Sequence, residues 1–171
     1  MSDQKSEPFE TPERSKIPDI TRNHVAAMEA STDGEPEAVW VMFNMSHLLL
    51  RTIGRRSGRV HKVALPYWLD DEGHPIVVGS YAGAQKHPAW YLNLSDRDVN
   101  PECYVRTRFE QYWSEPEVLE GAERQRIWDA MTRDRAYYRD YQELTERQLP
   151  IIRLANKRVA DAPPPDPAPT A

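Results

Sequence analysis

One cysteine, Cys103, stands in the 171 residues, which excludes an internal disulfide framework. It reads as a buried small hydrophobe. Five scattered histidines (His24, His47, His61, His74 and His87) supply no metal-ligand spacing, so no metal site is expected. No apolar run of signal-peptide type opens the chain, and none is long enough to cross a bilayer. A cytoplasmic protein is the expectation. The net charge is −5, and no basic face is extensive enough for a nucleic-acid footprint. The chain also lacks a GxSxG elbow, a GxGxxG loop after a strand, a Walker lysine loop and an HExxH helix. Carboxylates paired at a catalytic spacing are missing as well.

Large apolar residues are scarce at both ends. Residues 1–18 mix charges with Pro8, Pro12 and Pro18, and besides Met1 only Phe9 and Ile17 are large and apolar. Residues 161–171 hold Pro163, Pro164, Pro165, Pro167 and Pro169. Neither stretch can bury enough surface to offset its ordering entropy. Disordered ends are therefore expected over 1–18 and 159–171, around a single domain over 19–158.

Within that domain Asp19 reads as the N-cap of a helix running to Ala30, with Ile20, His24, Val25 and Met28 on one face. Residues 37–46 fit either a helical turn or a loop lid. Strands are expected over 48–53, 60–69, 75–80, 103–109 and 112–119, with a hairpin turn at 70–73. Phe109 is expected on the same face as Cys103 and Val105. Pro66 implies a bulge or an edge. Helices follow at 122–133 and around Tyr138, Tyr141 and Leu144, where Glu143 and Arg147 sit at ion-pair spacing. Residues 150–154 read as a last short strand. Strands linked mainly by hairpins, with few helices, predict an antiparallel barrel of the α+β class.

Three constellations carry chemistry. Residues 54–62 concentrate Arg55, Arg56, Arg59 and Lys62 with Ser57, Gly58 and His61 between two strands. Repelling cations at a Gly-rich turn point to an anion such as a ligand phosphate, held by charged forks and a nest of backbone N–H groups. A solvated hairpin loop explains them equally well. Residues 80–91 form a small-residue loop running into a helix after Pro88, with Lys86 beside it, and suit a planar ligand. Trp90 and Tyr91 fit core aromatics there. Tyr138 and Tyr141 share a helical face and offer phenols for a pocket wall, while Tyr137 reads as packing.

The order of these blocks resembles the deazaflavin-dependent nitroreductase family of split β-barrel oxidoreductases. Residues 48–58, 65–67, 83–94, 138–142 and 150–154 carry the resemblance. It implies an FMN-binding-like split β-barrel with an N-terminal helix and C-terminal helices, binding coenzyme F420, an 8-hydroxy-5-deazaflavin with a phosphate and an acidic tail. FMN is the alternative cofactor. The resemblance puts Arg55, Arg56, Ser57, Gly58, His61 and Lys62 near the phosphate or tail, with His61 standing where the family usually has arginine. It puts Leu65, Tyr67, Val78, Gly79 and Ser80 along the ring, and Ala89 and Trp90 at the loop-to-helix contact, where Lys86 by its charge favours an anion. It assigns Ser80, Tyr138 and Tyr141 to the substrate side and catalysis. Tyr81 and Arg135 depart from the family pattern near that side. The implied activity is hydride transfer from reduced F420 to a planar electrophile: a quinone, nitroaromatic or activated enone. A non-catalytic deazaflavin carrier is the rival. Partners left open are a homodimer and peripheral contact with a membrane on the cytoplasmic side.

Overall fold

The computed structural model describes residues 11–167. Its central strand is β2, Met45–Ile53. Leu48 and Leu50 point into a core between two sheets, while Leu49 points out against Val25, Met28 and Trp40. A strand buried on both faces reads as a continuous apolar run, which is why three leucines stand in a row. β3 (Val60–Pro66) pairs antiparallel with β2 along its whole length, from His47↔Pro66 to Ile53↔Val60. β1 (Val41–Met42) pairs with β2 as well. β6 (Cys103–Arg106), β7 (Gln111–Ser114) and β10 (Arg158–Val159) follow on the other edge of β2. The second antiparallel sheet has the order β4 (Trp68–Leu69), β5 (Pro75–Val78), β9 (Ile151–Arg153), β8 (Glu117–Val118).

The chain crosses between sheets at two corners, Tyr67 and Glu115-Pro116. The stretch 60–69 is therefore two strands rather than the single one its alternation predicts, and 112–119 likewise divides into β7 and β8. Proline cannot donate to a ladder, so Pro66 and Pro116 stand where pairing changes sheets. The two sheets pack Val77, Val105, Tyr112 and Ile152 between them. α2 (Ala89–Ser95) sets Leu94 into that core. The outer face of the second sheet is covered by α3 (Gly121–Asp134) and α4 (Tyr137–Glu143), through Ile127, Met131 and Tyr138 against Ile76, Val78 and Ile151. The result is a mixed α+β fold of antiparallel sheets, as the hairpin pattern predicts.

Several local expectations are corrected. α1 (Ile17–Ala30) starts before Asp19, which sits inside the first turn and accepts from Arg22 at 2.7 Å. Residues 37–46 are a helical turn only at their start: a 3₁₀ turn over Glu37–Val39 leads into a hairpin whose turn, Phe43-Asn44, has φ of 53° and 56°. The strand from Cys103 ends at Arg106, so Phe109 is not on the core face but 79% exposed, beneath the Arg108 guanidinium. The turn at 70–73 is built as expected, with Asp70 Oδ1 accepting from the N–H groups of Glu72 and His74. The Glu143–Arg147 pair gives way to other partners of Arg147, described below.

α1 lies along β3, where Thr21 Oγ1 accepts the N–H of Ala64 at 3.0 Å and so covers an edge that would otherwise be bare. Residues 158–167 run back over the first sheet. Ala160 is buried beside Trp40 and Tyr104, and Asp166 reaches Lys62.

Candidate active site

α1, β3, the loop over residues 79–88 and α4 enclose a cavity of about 1290 Å³. That volume exceeds a typical small-molecule pocket and suits a large ligand or two smaller ones side by side. Its apolar walls include Ile20, Val63, Leu65, Val78 and Trp90.

The 79–88 loop is strained. Tyr81, Ala82 and Gly83 follow one another at φ of 44°, 51° and 77°. Only the glycine adopts this region without penalty, and its neighbours require it twice over: a Cβ on Gly83 would stand 2.8 Å from the Tyr141 carbonyl oxygen. One side chain holds the strained segment. Arg147 donates to the carbonyls of Ala84 (2.8 Å), Gly79 (3.0 Å) and Ser80 (2.8 Å), and to Nδ1 of His87 (3.0 Å). Arg14 adds a second clasp on the Ala82 carbonyl. The loop thereby presents Ser80, His87, Pro88 and Ala89 to the cavity.

Against the loop stand three tyrosines of α4. Tyr138 is buried, its ring 4.5 Å from that of Tyr137 and 6.2 Å from that of Tyr141. Tyr137 lines the cavity too and donates to the Met45 sulfur, so its reading as packing alone is incomplete. The Tyr141 hydroxyl lies 2.7 Å from Thr11 Oγ1, which brings the N-terminal segment onto the same wall. Burial raises the pKa of Tyr137 and of Tyr141, so both phenols stay protonated and able to donate near neutrality.

Two histidines close that end. His47 Nδ1 donates to the Met45 carbonyl at 2.9 Å, and its ring centroid lies 5.2 Å from that of His24. Burial, above all, lowers the His47 pKa to about 4, with smaller contributions from His24 and Arg135. His47 is therefore a neutral imidazole. Arg135 is itself 2% exposed and donates to the Tyr67 carbonyl.

The basic turn is built differently from its expectation. Gly58 has the positive φ (68°) that a glycine turn needs. Its N–H, however, donates to the Gly54 carbonyl, the Gly54 N–H to the Arg59 carbonyl, and the Arg59 N–H to Ser57 Oγ. Those three backbone donors are used inside the turn. The cations remain. Arg55 is anchored through its N–H and Nη1 to Asn93 Oδ1. Arg56 and Arg59 are exposed, with no acidic partner for either side chain among the described residues. Lys62 is taken by Glu29 and by Asp166 at 2.8 Å. Burial opposes its charge, but those carboxylates prevail and raise its pKa.

Of the residues singled out from sequence, His61, Lys62, Leu65, Val78, Ser80, Ala89, Trp90, Tyr138 and Tyr141 line one cavity. Arg55, Arg56, Ser57 and Gly58 stand at its basic edge, with Ser57 Oγ 3.4 Å from His61 Nε2. Tyr67 packs against the inter-sheet core, Gly79 lies beneath the loop against Pro150, and Lys86 is exposed outside the lining. Sequence reasoning missed Asn93, His47, Tyr137 and Arg147. Asn93 belongs to the recognised block at 83–94, and its polarity between Leu92 and Leu94 was the available signal. Arg147 lies more than 60 residues from the loop it holds and carried none. Cys103 is buried, its thiol pushed up to about 12 by burial, and it takes no part.

The model of the F420H(2)-dependent quinone reductase family matches residues 20–156. The chain is 26% identical over 113 residues to an F420H(2)-dependent quinone reductase of Mycobacterium tuberculosis, covering 64% of this chain and 73% of that protein. It is similar to a solved F420-H2 dependent reductase, FDR-A, at 29% identity and a TM-score of 0.54, with 64% of this chain and 93% of that one covered. A solved domain-swapped dimer matches at 27% identity and a TM-score of 0.58, with 81% and 98% covered. The match spans the central sheets, the strained loop and the tyrosine helix alike, and the chain belongs to the F420H(2)-dependent quinone reductase family.

Proposed function

We propose that this chain binds reduced F420 across the cavity and reduces a planar quinone-type acceptor, with its basic turn holding the coenzyme's acidic end. The carrying observation is the asymmetry of the cavity. One end joins unpaired exposed guanidiniums, and the other joins phenols and a neutral imidazole across apolar walls. The donor set fits the coenzyme. Arg56 and Arg59 lack acidic partners among the described residues and suit a phosphate or carboxylates, while Leu65, Val78 and Trp90 suit a flat ring.

Bound F420H2 supplies a hydride. The chain's own work is to align, to exclude water and to stabilise the oxygen that becomes negative. Ser80 and Tyr138, both in the cavity lining, offer hydroxyls for that oxygen. The Tyr137 and Tyr141 phenols, their pKa raised by burial, keep their protons near neutrality. Quinones fit this arrangement best, with nitroaromatics and enones sharing the same requirement for a donor at the oxygen.

Titration of the purified chain with F420 and with FMN, followed by anaerobic oxidation of F420H2 with a naphthoquinone, tests the reading. F420 binding with quinone-dependent turnover is expected. Preferential FMN binding would move the chain to flavin chemistry, and F420 binding without turnover across acceptors would make it a carrier. Tyr138→Phe is expected to lower turnover about 10-fold while sparing F420 affinity. Unchanged turnover would leave Tyr138 as packing.

A further inference from the structure

His87 stands in the cavity wall with no role in the chemistry described so far. We propose that its Nε2–H donates a hydrogen bond to a ring oxygen of the redox pair, and that Arg147 is the positioning residue that fixes this imidazole as a donor. The inference rests on the functional reading above and adds a contact residue to it.

The argument starts at Arg147. A guanidinium has donors and no acceptor. Its Nη1 lies 3.0 Å from His87 Nδ1, so that nitrogen must carry a lone pair and the ring proton must sit on Nε2. A second proton on the ring would set N–H against N–H. Burial first, and then the charge of Arg147, hold the pKa of His87 below its ordinary value. The imidazole therefore stays neutral and keeps one defined tautomer.

Nor can the guanidinium turn away. It is bound at the same time to the carbonyls of Gly79, Ser80 and Ala84. The His87 ring is further flanked by Tyr91, with centroids 4.9 Å apart. Its Nε2 has no partner among the described residues and is not one of the buried unpartnered atoms, so it is accessible on a residue that lines the cavity. Ser80 lines that cavity from the other end of the same loop, and its Oγ is likewise without a partner among the described residues.

Two neutral donors on one loop, the imidazole among them fixed by Arg147, suit a carbonyl or anionic oxygen on a planar ring. A neutral imidazole polarises such an oxygen without releasing its proton, so its contribution is to charge stabilisation and not to proton transfer. The oxygen has two sources. It is a ring oxygen of the coenzyme, or it is the acceptor oxygen that turns negative on hydride arrival.

The full chain, His87→Phe and His87→Gln are compared. F420 affinity is read by fluorescence, ionisation of the bound 8-hydroxyl by absorbance against pH, and naphthoquinone turnover under steady state. With a coenzyme oxygen, His87→Phe weakens F420 about 10-fold and moves ionisation of the 8-hydroxyl to higher pH. With an acceptor oxygen, F420 affinity holds while kcat falls about 10-fold at little-changed KM. In both cases His87→Gln, which keeps an N–H near the same place, recovers most of the loss. A wild-type chain that binds F420 while His87→Phe matches it in every readout overturns this proposal alone. So does a glutamine variant as impaired as the phenylalanine one. A wild-type chain that does not bind F420 overturns the functional reading and this one with it. The nitrogen-15 spectrum of the wild-type histidines needs no variant: the Nε2–H tautomer is expected for His87, and the Nδ1–H tautomer refutes the proposal.

Discussion

The two ends of the cavity are held in opposite ways. At the basic end, Arg56 and Arg59 are exposed, and the turn that carries them is tied to the body mainly by Asn93. At the tyrosine end, Arg147 makes four hydrogen bonds, three of them to carbonyls of a strained loop, and His47 and Tyr138 are buried. Charge acts over several ångströms and tolerates a loose frame. Alignment for hydride transfer does not, because misplacement by about 1 Å costs orders of magnitude in rate. On the proposed reading, fixed geometry is concentrated where the reaction would need it, and the end that would face an anion carries exposed guanidiniums.

Removing the clamp of the ordered end should have the largest effect. Arg147→Met leaves carbonyls of Gly79, Ser80 and Ala84 without their donor beside three left-handed residues. A loss of about 4 kcal/mol in unfolding free energy is expected, because several buried acceptors go unpaired at once. Urea denaturation measures it. Arg147→Lys should recover little, since one ammonium cannot span the same set of carbonyls. A loss below about 1 kcal/mol would remove the contrast between the two ends.

Acid should act next, and also on the ordered end. The folded-state pKa of His47 is about 4, below that of the unfolded chain, so on acidification the unfolded state takes up the proton first. Stability is then constant above about pH 6.5, falls as the pH drops toward about 4, and loses up to about 3 kcal/mol from this one group. His87, also lowered, adds in the same direction. Glu123, whose pKa is held at about 2 by Arg126 and Arg153, acts only at lower pH. His47→Gln should flatten the upper part of the stability profile, and a profile unchanged by that substitution would place its origin elsewhere.

The basic end should respond to salt instead of acid. Arg56→Ala with Arg59→Ala is expected to weaken F420 by about 10-fold at low ionic strength and less at high salt, while unfolding free energy moves by less than about 0.5 kcal/mol. Fluorescence titration at two salt concentrations, with parallel denaturation, separates the two quantities. A loss of affinity independent of salt would argue for direct, desolvated contacts and against the loose arrangement described above.

The same division explains what the sequence made legible. β2, β9 and the helices at 17–30 and 121–134 announce themselves because each buries a periodic or continuous apolar face. The cation cluster and the tyrosine pair were visible because their residue types repeat within a few positions. The corner at Tyr67 was not, since one residue switches sheets without breaking the alternation on either side. The hairpin at Phe43-Asn44 was hidden because a bulky phenylalanine is an unusual occupant of a left-handed turn. Arg147 and His47 were missed for a common reason: each acts on residues brought close only by the fold. Most of the ring and substrate residues that the family resemblance singled out line one cavity, Tyr67 and Gly79 excepted, but the resemblance carried no information on what holds the loop beside them.

The smallest expected effect tests the boundary of the loose end. Lys62 lies in the cavity wall, yet Glu29 and Asp166 already occupy its ammonium, and Pro165 and Asp166 follow the first sheet back toward Arg51. A coenzyme carrying carboxylates would present the same chemistry as Asp166 to the same cation. Asp166→Asn keeps the shape of the segment and removes its charge. If the segment competes with the ligand, F420 should bind two- to threefold more tightly, the scale of one exposed ion pair, and the gain should vanish at high salt. Weaker binding in the variant would show instead that the segment from Pro163 to Pro167 is part of the seat. The basic end would then be as organised as the end it is contrasted with.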